Sequence, residues 1–300
     1  MAKKKKKLDL SSELVFAHFS VCFIDLLGQQ EAMKGQQLLP LDQNSPEFAA
    51  FSRSARESIG RIMKLQKDAD NFVRAASDDR TRLDLSGLTP RQRKDFLLAK
   101  GSKIKQQRWS DGLVLFARHA DRNVKCPMNS AFALLGTAGC LCLLGLARKA
   151  PLRGGIDFAW GAELKENELY GPAVARAYEL ESSVAQYPRI VVGREYVRYL
   201  EVHGANPATT PFAEIDRAMA KQCLSLLVED ADGNYIVHYL GDEFIAAITH
   251  TQHAPMYAEA QAFVAKEWER LRKIGDSKLS LRYSYLWSYF EAHRPAEATG

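Results

Sequence analysis

The stretch SVCFIDLLGQQ, residues 20–30, sets a single carboxylate, Asp25, inside a run that otherwise reads as a buried strand. An isolated ionised carboxylate is costly to bury, so Asp25 requires a partner, a bound metal or the exposed end of the strand. Read back to Val15, the run becomes VFAHFSVCFIDL, apolar on both parities near its end. That is the pattern of a central strand covered on both sides.

Working outward, residues 46–80 carry apolar side chains at helical spacing: Phe48, Phe51, Ala55, Ile59, Ile62, Leu65 and Phe72. LTPRQRKDFLLAKG (88–101) predicts another helix, with Thr89 as N-cap, Pro90 at its first position and Gly101 past its end. KIKQQRWSDGLVLFARH (103–119) predicts a hairpin, two extended runs around a Ser-Asp-Gly turn. AFALLGTAGCLCLLGLA (131–147) has no charged residue, yet it is shorter than the roughly 20 residues a spanning helix needs. It lies between strand-like segments, so a helix buried against a sheet is expected, and no membrane span.

PLRGGIDFAWGAEL (151–164) predicts a strand begun by Gly154 and Gly155, and YGPAVARAYELESSVA (170–185) a helix with Pro172 in its first turn. PRIVVG (188–193) predicts a short strand, REYVRYLEVHG (194–204) a helix stopped by Gly204, NYIVHYLGDEF (234–244) a further strand, and the last fifty residues helices. The alternation of strands and helices, without a dividing linker or internal repeat, argues for one α/β domain with a helical C-terminal appendage.

The formal net charge of +5 is matched by the five consecutive lysines Lys3–Lys7, so the rest of the chain is nearly balanced. No broad nucleic-acid-binding face is expected, and the lysine tract reads as a solvated tail. The first ten residues lack the apolar core of a signal peptide. The cysteines Cys22, Cys126, Cys140, Cys142 and Cys223 are odd in number and lie mostly in apolar segments. They are expected to be reduced core residues of a cytoplasmic protein.

Two carboxylates stand apart, Asp25 at the end of an apolar strand and Asp111 in the hairpin turn. Asp before Gly in a turn is ordinary, and Asp25 alone can cap a following turn. Together, on neighbouring strands, they would arrive at one edge of a sheet. Two carboxylates completed by substrate phosphates form a hard-oxygen site suited to Mg²⁺ or Mn²⁺. Paired metals there can activate a hydroxyl and stabilise a leaving oxygen in phosphoryl transfer.

FIDLLG, then SDG in a hairpin, then RGGIDFAWGAEL and YGPAVARAYELE resemble, in that order, the catalytic domain of class III adenylyl and guanylyl cyclases over about residues 15–192. The resemblance implies a ferredoxin-like βαββαβ core, and a homodimer with active sites at its interface. It implies that Asp25 and Asp111 bind two divalent ions, Mn²⁺ or Mg²⁺, while the ribose 3′-hydroxyl attacks the α-phosphate and pyrophosphate leaves. The departures are equally specific. The helix motif that in such enzymes supplies a ribose-positioning Asn and a transition-state Arg here carries Ala175 and Glu179. Either the domain is inactive, or positive charge comes from elsewhere, for example Arg176. The base-reading positions fall on Gln107 and Glu168, which match neither purine pair. An amide with a carboxylate can satisfy uracil or cytosine.

The long segment between the two aspartates (29–102), the YGPAVARAYELE helix and the C-terminal RYSYLWSYFEAH resemble more narrowly the pyrimidine cyclases of the bacterial Pycsar antiphage system. That implies cyclic UMP made from UTP, or cyclic CMP from CTP, as a messenger for a cyclic-nucleotide-binding effector. The lean to UTP comes with the resemblance and from no residue. The expected organisation is a basic tail over 1–12, a cyclase domain over 13–250 with a helical insertion at about 29–102, and the helical appendage over 251–300. A catalytically dead, nucleotide-binding cyclase fold is the rival reading.

Arg153, beside the double glycine, reads equally as a triphosphate contact or a surface arginine. Trp109 supports the turn or fills core. Tyr170, Tyr178 and the C-terminal aromatics read as core and interface. His18, His119, His203, His238, His250 and His253 show no metal-ligand spacing, and the last two precede Pro255, where a solvated loop is expected.

Overall fold

The computed structural model describes residues 15–29, 38–78, 89–91, 93–94, 104–119, 128–164, 167–207, 209–249 and 252–295. The Lys3–Lys7 tract, Cys126 and most of the helix expected over 89–100 lie outside them.

Strand β1 (Val15–Leu26) runs to the point where the sequence placed its end. Helix α1 (Pro46–Asp78) follows, then β2 (Lys105–Trp109) and β3 (Gly112–Arg118), helix α2 (Met128–Ala147) and β4 (Leu152–Glu163). The four strands lie in the order β2-β3-β1-β4, every neighbour antiparallel. Beyond them come β5 (Leu169–Tyr170), α3 (Pro172–Glu179) with a π turn at Leu180–Val184, β6 (Ile190–Val192), α4 (Arg194–Gly204), α5 (Pro211–Ser225), β7 (Leu227–Glu229) and β8 (Tyr235–Val237). The chain closes with the one-turn α6 (Asp242–Phe244), α7 (His253–Lys273) and α8 (Ser277–Ala292). The result is a mixed α/β fold on an eight-stranded sheet ordered β2-β3-β1-β4-β6-β8-β7, with β5 paired to β4 and β6 parallel to β4.

The alternation of β1 decides what each face of the sheet does. Cys22, Ile24 and Leu26 enter the larger core, under α2. Ala17, Phe19, Val21 and Phe23 enter a smaller core with Ala173 and Ala177 of α3. Helix α2 is apolar all round and buried along most of its length, as a core helix must be. By length and composition alone it is apolar enough to cross a membrane. Its surroundings are protein: α1, α5 and α7 pack on it.

Helix α1, in the segment expected as an insertion, contributes Leu65 and Ala69 to the main core, and the C-terminal helices contribute Tyr257, Val264 and Phe290 to the same core. Three expectations need correction. Gly154 and Gly155 lie inside β4, not at its start. The strand expected over 234–244 stops at Val237, where His238–Gly241 turns and the Gly241 amide donates to the His238 carbonyl. His253 opens α7 and is buried, because a proline in the first turn, here Pro255, is compatible with a helix.

Candidate functional site

Asp25 is the last residue of the β1 stripe that faces α3. It sits opposite Gly112 of β3 on one side and Arg153 of β4 on the other. The β2–β3 hairpin closes through the two residues Ser110 and Asp111, with Trp109 paired to Gly112. Ser110 takes φ +42°, as the first residue of such a tight turn often must. The hairpin therefore delivers Asp111 beside Asp25.

Arg153 answers half of the question raised by Asp25. Its Nη2 lies 3.7 Å from Asp25 Oδ2, and its Nε lies 2.6 Å from Oε1 of Glu181, a close charge contact lacking hydrogen-bond alignment. Glu181 is only 2% exposed and Asp25 is 21% exposed. The close approach that makes this possible is set by Gly155. A Cβ there would lie 2.4 Å from the Ala177 carbonyl oxygen, so the sheet and the end of α3 can meet only over glycine. The following π turn, closed by the Ala185 amide on the Leu180 carbonyl, carries Glu181 inward.

Two carboxylates, Asp25 and Glu181, thus share one guanidinium, and Asp111 adds a third negative charge nearby. Burial, and next the negative charge of Asp111, push the Asp25 carboxyl up to about 6. Burial likewise pushes Glu181 up to about 7; Arg153 opposes the shift, and Asp25 and Asp111 add to it. Each is a weaker acid in the folded chain than in the unfolded one. The folded chain therefore retains the Asp25 proton between pH 3.8 and about 6, and stability falls as pH rises through that window. Thermal melts of Asp25→Asn against the parent should show the variant gaining Tm relative to it as pH is raised through the window. A pH-independent difference would contradict the assignment.

Among the described residues no group of three or more His, Cys, Asp or Glu side chains is placed to hold a metal. Asp25 and Asp111 supply two hard oxygen donors, the Asp25–Asp111 repulsion is of the sign a cation would relieve, and the remaining ligands would have to come from substrate oxygens. The residues fit a divalent ion on that condition.

The other expected site residues form separate groups within one chain. Gln107 lies on β2, and its Oε1 accepts a hydrogen bond from the Leu169 amide at 3.0 Å, next to the exposed Glu168. That bond fixes the amide orientation and leaves the Gln107 NH₂ as a donor. Arg176 is exposed on α3, where its charge acts on Asp157. Ala175 and Glu179 share its exposure. Asp157 in turn accepts from the Tyr196 amide at 3.2 Å and so caps α4, whose own N-cap residue is Gly193.

Sequence reasoning missed Glu181. The signal was available, because Ala173, Ala177 and Glu181 are spaced at i, i+4 and i+8, which puts a carboxylate on the apolar stripe of the helix. It also left the histidines unpartnered. His119 is buried, bonded through Nε2 to Ser20 Oγ at 2.6 Å and through Nδ1 to Tyr199 Oη at 3.1 Å. Burial, then its neighbouring histidines, lower it to about 3, so it is neutral. His203 pairs with Asp216 at 2.6 Å. The His203–Asp216 contact pins α4 to α5, and the His119 bonds tie α4 to β1. The described cysteines, Cys22, Cys140, Cys142 and Cys223, are free and buried as expected. Neither the family models nor the curated proteins compared with the chain give a match.

Proposed function

We propose that the chain is a homodimeric, metal-dependent pyrimidine nucleotide cyclase that converts UTP to 3′,5′-cyclic UMP and pyrophosphate, with CTP as the alternative substrate. The observation that carries this reading is that the β2–β3 turn sets Asp111 next to Gly112, the residue that pairs with Asp25 on the adjacent strand. The two carboxylates stand at one end of a βαββαβ unit ordered β2-β3-β1-β4, the strand order of a ferredoxin-like core.

Asp25 and Asp111 would hold the Mn²⁺ or Mg²⁺ ions. Bound there, such ions lower the pKa of the ribose 3′-hydroxyl and neutralise the triphosphate. The 3′-oxygen bonds to the α-phosphorus, the bond from that phosphorus to the bridging oxygen breaks, pyrophosphate departs and the hydroxyl proton is released. Arg153, already shared between two carboxylates, keeps a cationic group at the site edge for the phosphates. Gln107, a donor, and Glu168, an acceptor, read the base: the amide donates to a carbonyl or ring nitrogen, and the carboxylate accepts from an N–H. Both pyrimidines satisfy that pair.

The division of these residues into separate groups in one chain favours a two-fold dimer, which can bring one protomer's carboxylates to the other's Gln107, Glu168 and Arg176. The α3 face also leaves Trp109, Tyr170 and Tyr178 about half or more exposed, an aromatic surface suited to burial against a second copy. Cyclic UMP would then act as the messenger of an antiphage response, read by a cyclic-nucleotide-binding effector.

The absence of Asn and Arg at positions 175 and 179 favours a second reading, a cyclase fold that binds nucleotide without turning it over. Incubating the full chain with each of the four nucleoside triphosphates and Mn²⁺ separates the two. Cyclic pyrimidine nucleotide and pyrophosphate are expected; no product from any of them, with nucleotide binding intact, establishes the second reading. In the active enzyme, Gln107→Lys with Glu168→Asp should erode the preference for pyrimidine over purine by about tenfold or more. An unchanged preference would mean that the base is read elsewhere.

A further inference from the structure

On the opposite side of the sheet from the carboxylates, a cavity of about 360 Å³ opens between α1 and α2. Its floor is apolar: Leu65 of α1, Leu141 and Leu144 of α2, and Leu26 and Leu152 from the ends of β1 and β4. Its rim is basic. Arg56, Arg61, Lys64, Arg148 and Lys149 line it against only two carboxylates, Glu57 and Asp68. Arg148 is taken by Asp68. Among the described residues none of the other four cations is ion-paired, which leaves an unbalanced positive rim above a leucine floor.

Two backbone features bear on the same place. Lys149 ends α2 at φ +60°, a conformation that glycine adopts far more readily than lysine. Gly60, in the middle of α1, also lines the cavity, and a Cβ added there meets nothing within 4 Å. A cation thus stands at a position that favours glycine, and a glycine at a helical position where a side chain would project into free space.

We propose that this cavity binds an amphipathic anion, its single aliphatic chain in the leucine floor and its carboxylate or phosphate head on the Arg56, Arg61, Lys64 and Lys149 rim. The volume is that of a small-molecule site, and apolar lining with a few placed polar groups is how such sites fix orientation. The head group needs no buried partner, because the four side chains are exposed and can converge on it. The site stands independently of the cyclase reading. Its floor nonetheless includes Leu26 and Leu152, the sequence neighbours of Asp25 and Arg153, so an occupant would touch the two strands that carry them.

The test is calorimetric titration of the full chain with decanoate and with decyl phosphate, each below its micellar concentration, using decyltrimethylammonium as the cationic control. At least one anion is expected to bind about tenfold or more tightly than the cationic control. Binding of decanoate alone assigns a carboxylate head, and binding of decyl phosphate alone a phosphate head. Lys149→Gly, which relaxes the backbone, and Gly60→Leu, which fills the cavity, should each weaken that binding by about tenfold while melting no lower than the parent. Equal binding of anions and cation, no binding at all, or unchanged affinity in both variants would overturn the proposal.

Discussion

Asp25→Asn and Asp111→Asn are each expected to lower cyclic nucleotide formation by about a thousandfold or more, with the fold intact. The two halves of that expectation come from the same geometry. Each carboxylate is half of the proposed donor set at this edge of the sheet, and the nearby Glu181 is held by Arg153, so neither has a substitute. Each also repels the other: the Asp25 proton is retained up to about pH 6, partly because Asp111 lies beside it. Neutralising one member removes that repulsion, so at neutral pH the variants should melt at or above the parent temperature. Activity and stability then move in opposite directions, which loss of folding cannot mimic. Initial rates with Mn²⁺ and a thermal melt of the same samples check both halves. Variants that retain activity would remove the site assignment, whatever their stability.

Gly155→Ala is expected to destabilise the protein by about 3 kcal/mol, with a Tm lower by roughly 5–10 °C. One methyl group has this effect because its three nearest neighbours are all fixed: the Ala177 carbonyl oxygen at 2.4 Å, Leu180 Cβ at 2.5 Å and the Glu181 amide nitrogen at 2.8 Å. None is the free end of a flexible side chain, so α3 must lift from β4 as a body. Lifting it withdraws Glu181 from Arg153. The variant should therefore also lose activity at temperatures where it remains folded. A Tm within 1 °C of the parent would show that the helix yields more easily than this packing implies. Gln107→Lys offers a contrast: it removes only the acceptor of the Leu169 amide and should cost about 1 kcal/mol, less than the glycine change.

Much of this site was legible before any coordinates. A run apolar on both parities near its end placed Asp25 at a strand end, and Ser-Asp-Gly between two extended runs placed Asp111 in a turn; both rest on local chemistry that a sequence displays directly. Glu181, Arg153 and the His119 network were not legible in the same way. Each depends on which distant element lands opposite, and a contact between residues 153 and 181 is decided by how closely α3 approaches the sheet. The double glycine marked that approach but read more simply as a strand boundary. Helix α1 was legible as a helix and not as core, because its amphipathic pattern says that it packs without saying on what. His253 shows the converse error. A nearby proline suggested a loop, although the first turn of a helix accepts proline well.

The alternation of β1 has one more consequence, for fidelity of folding. In a hydrogen-bonded sheet, a strand that pairs one residue out of step exchanges its two faces completely. Such a slip in β1 would drive Asp25 into the leucine-rich layer beneath α2 and turn Ile24 and Leu26 toward Arg153 and Glu181. Burying the lone charge in that apolar layer would cost several kcal/mol. The residue offered as a metal ligand thereby also acts as a proofreading mark, telling the chain which way up its central strand must lie.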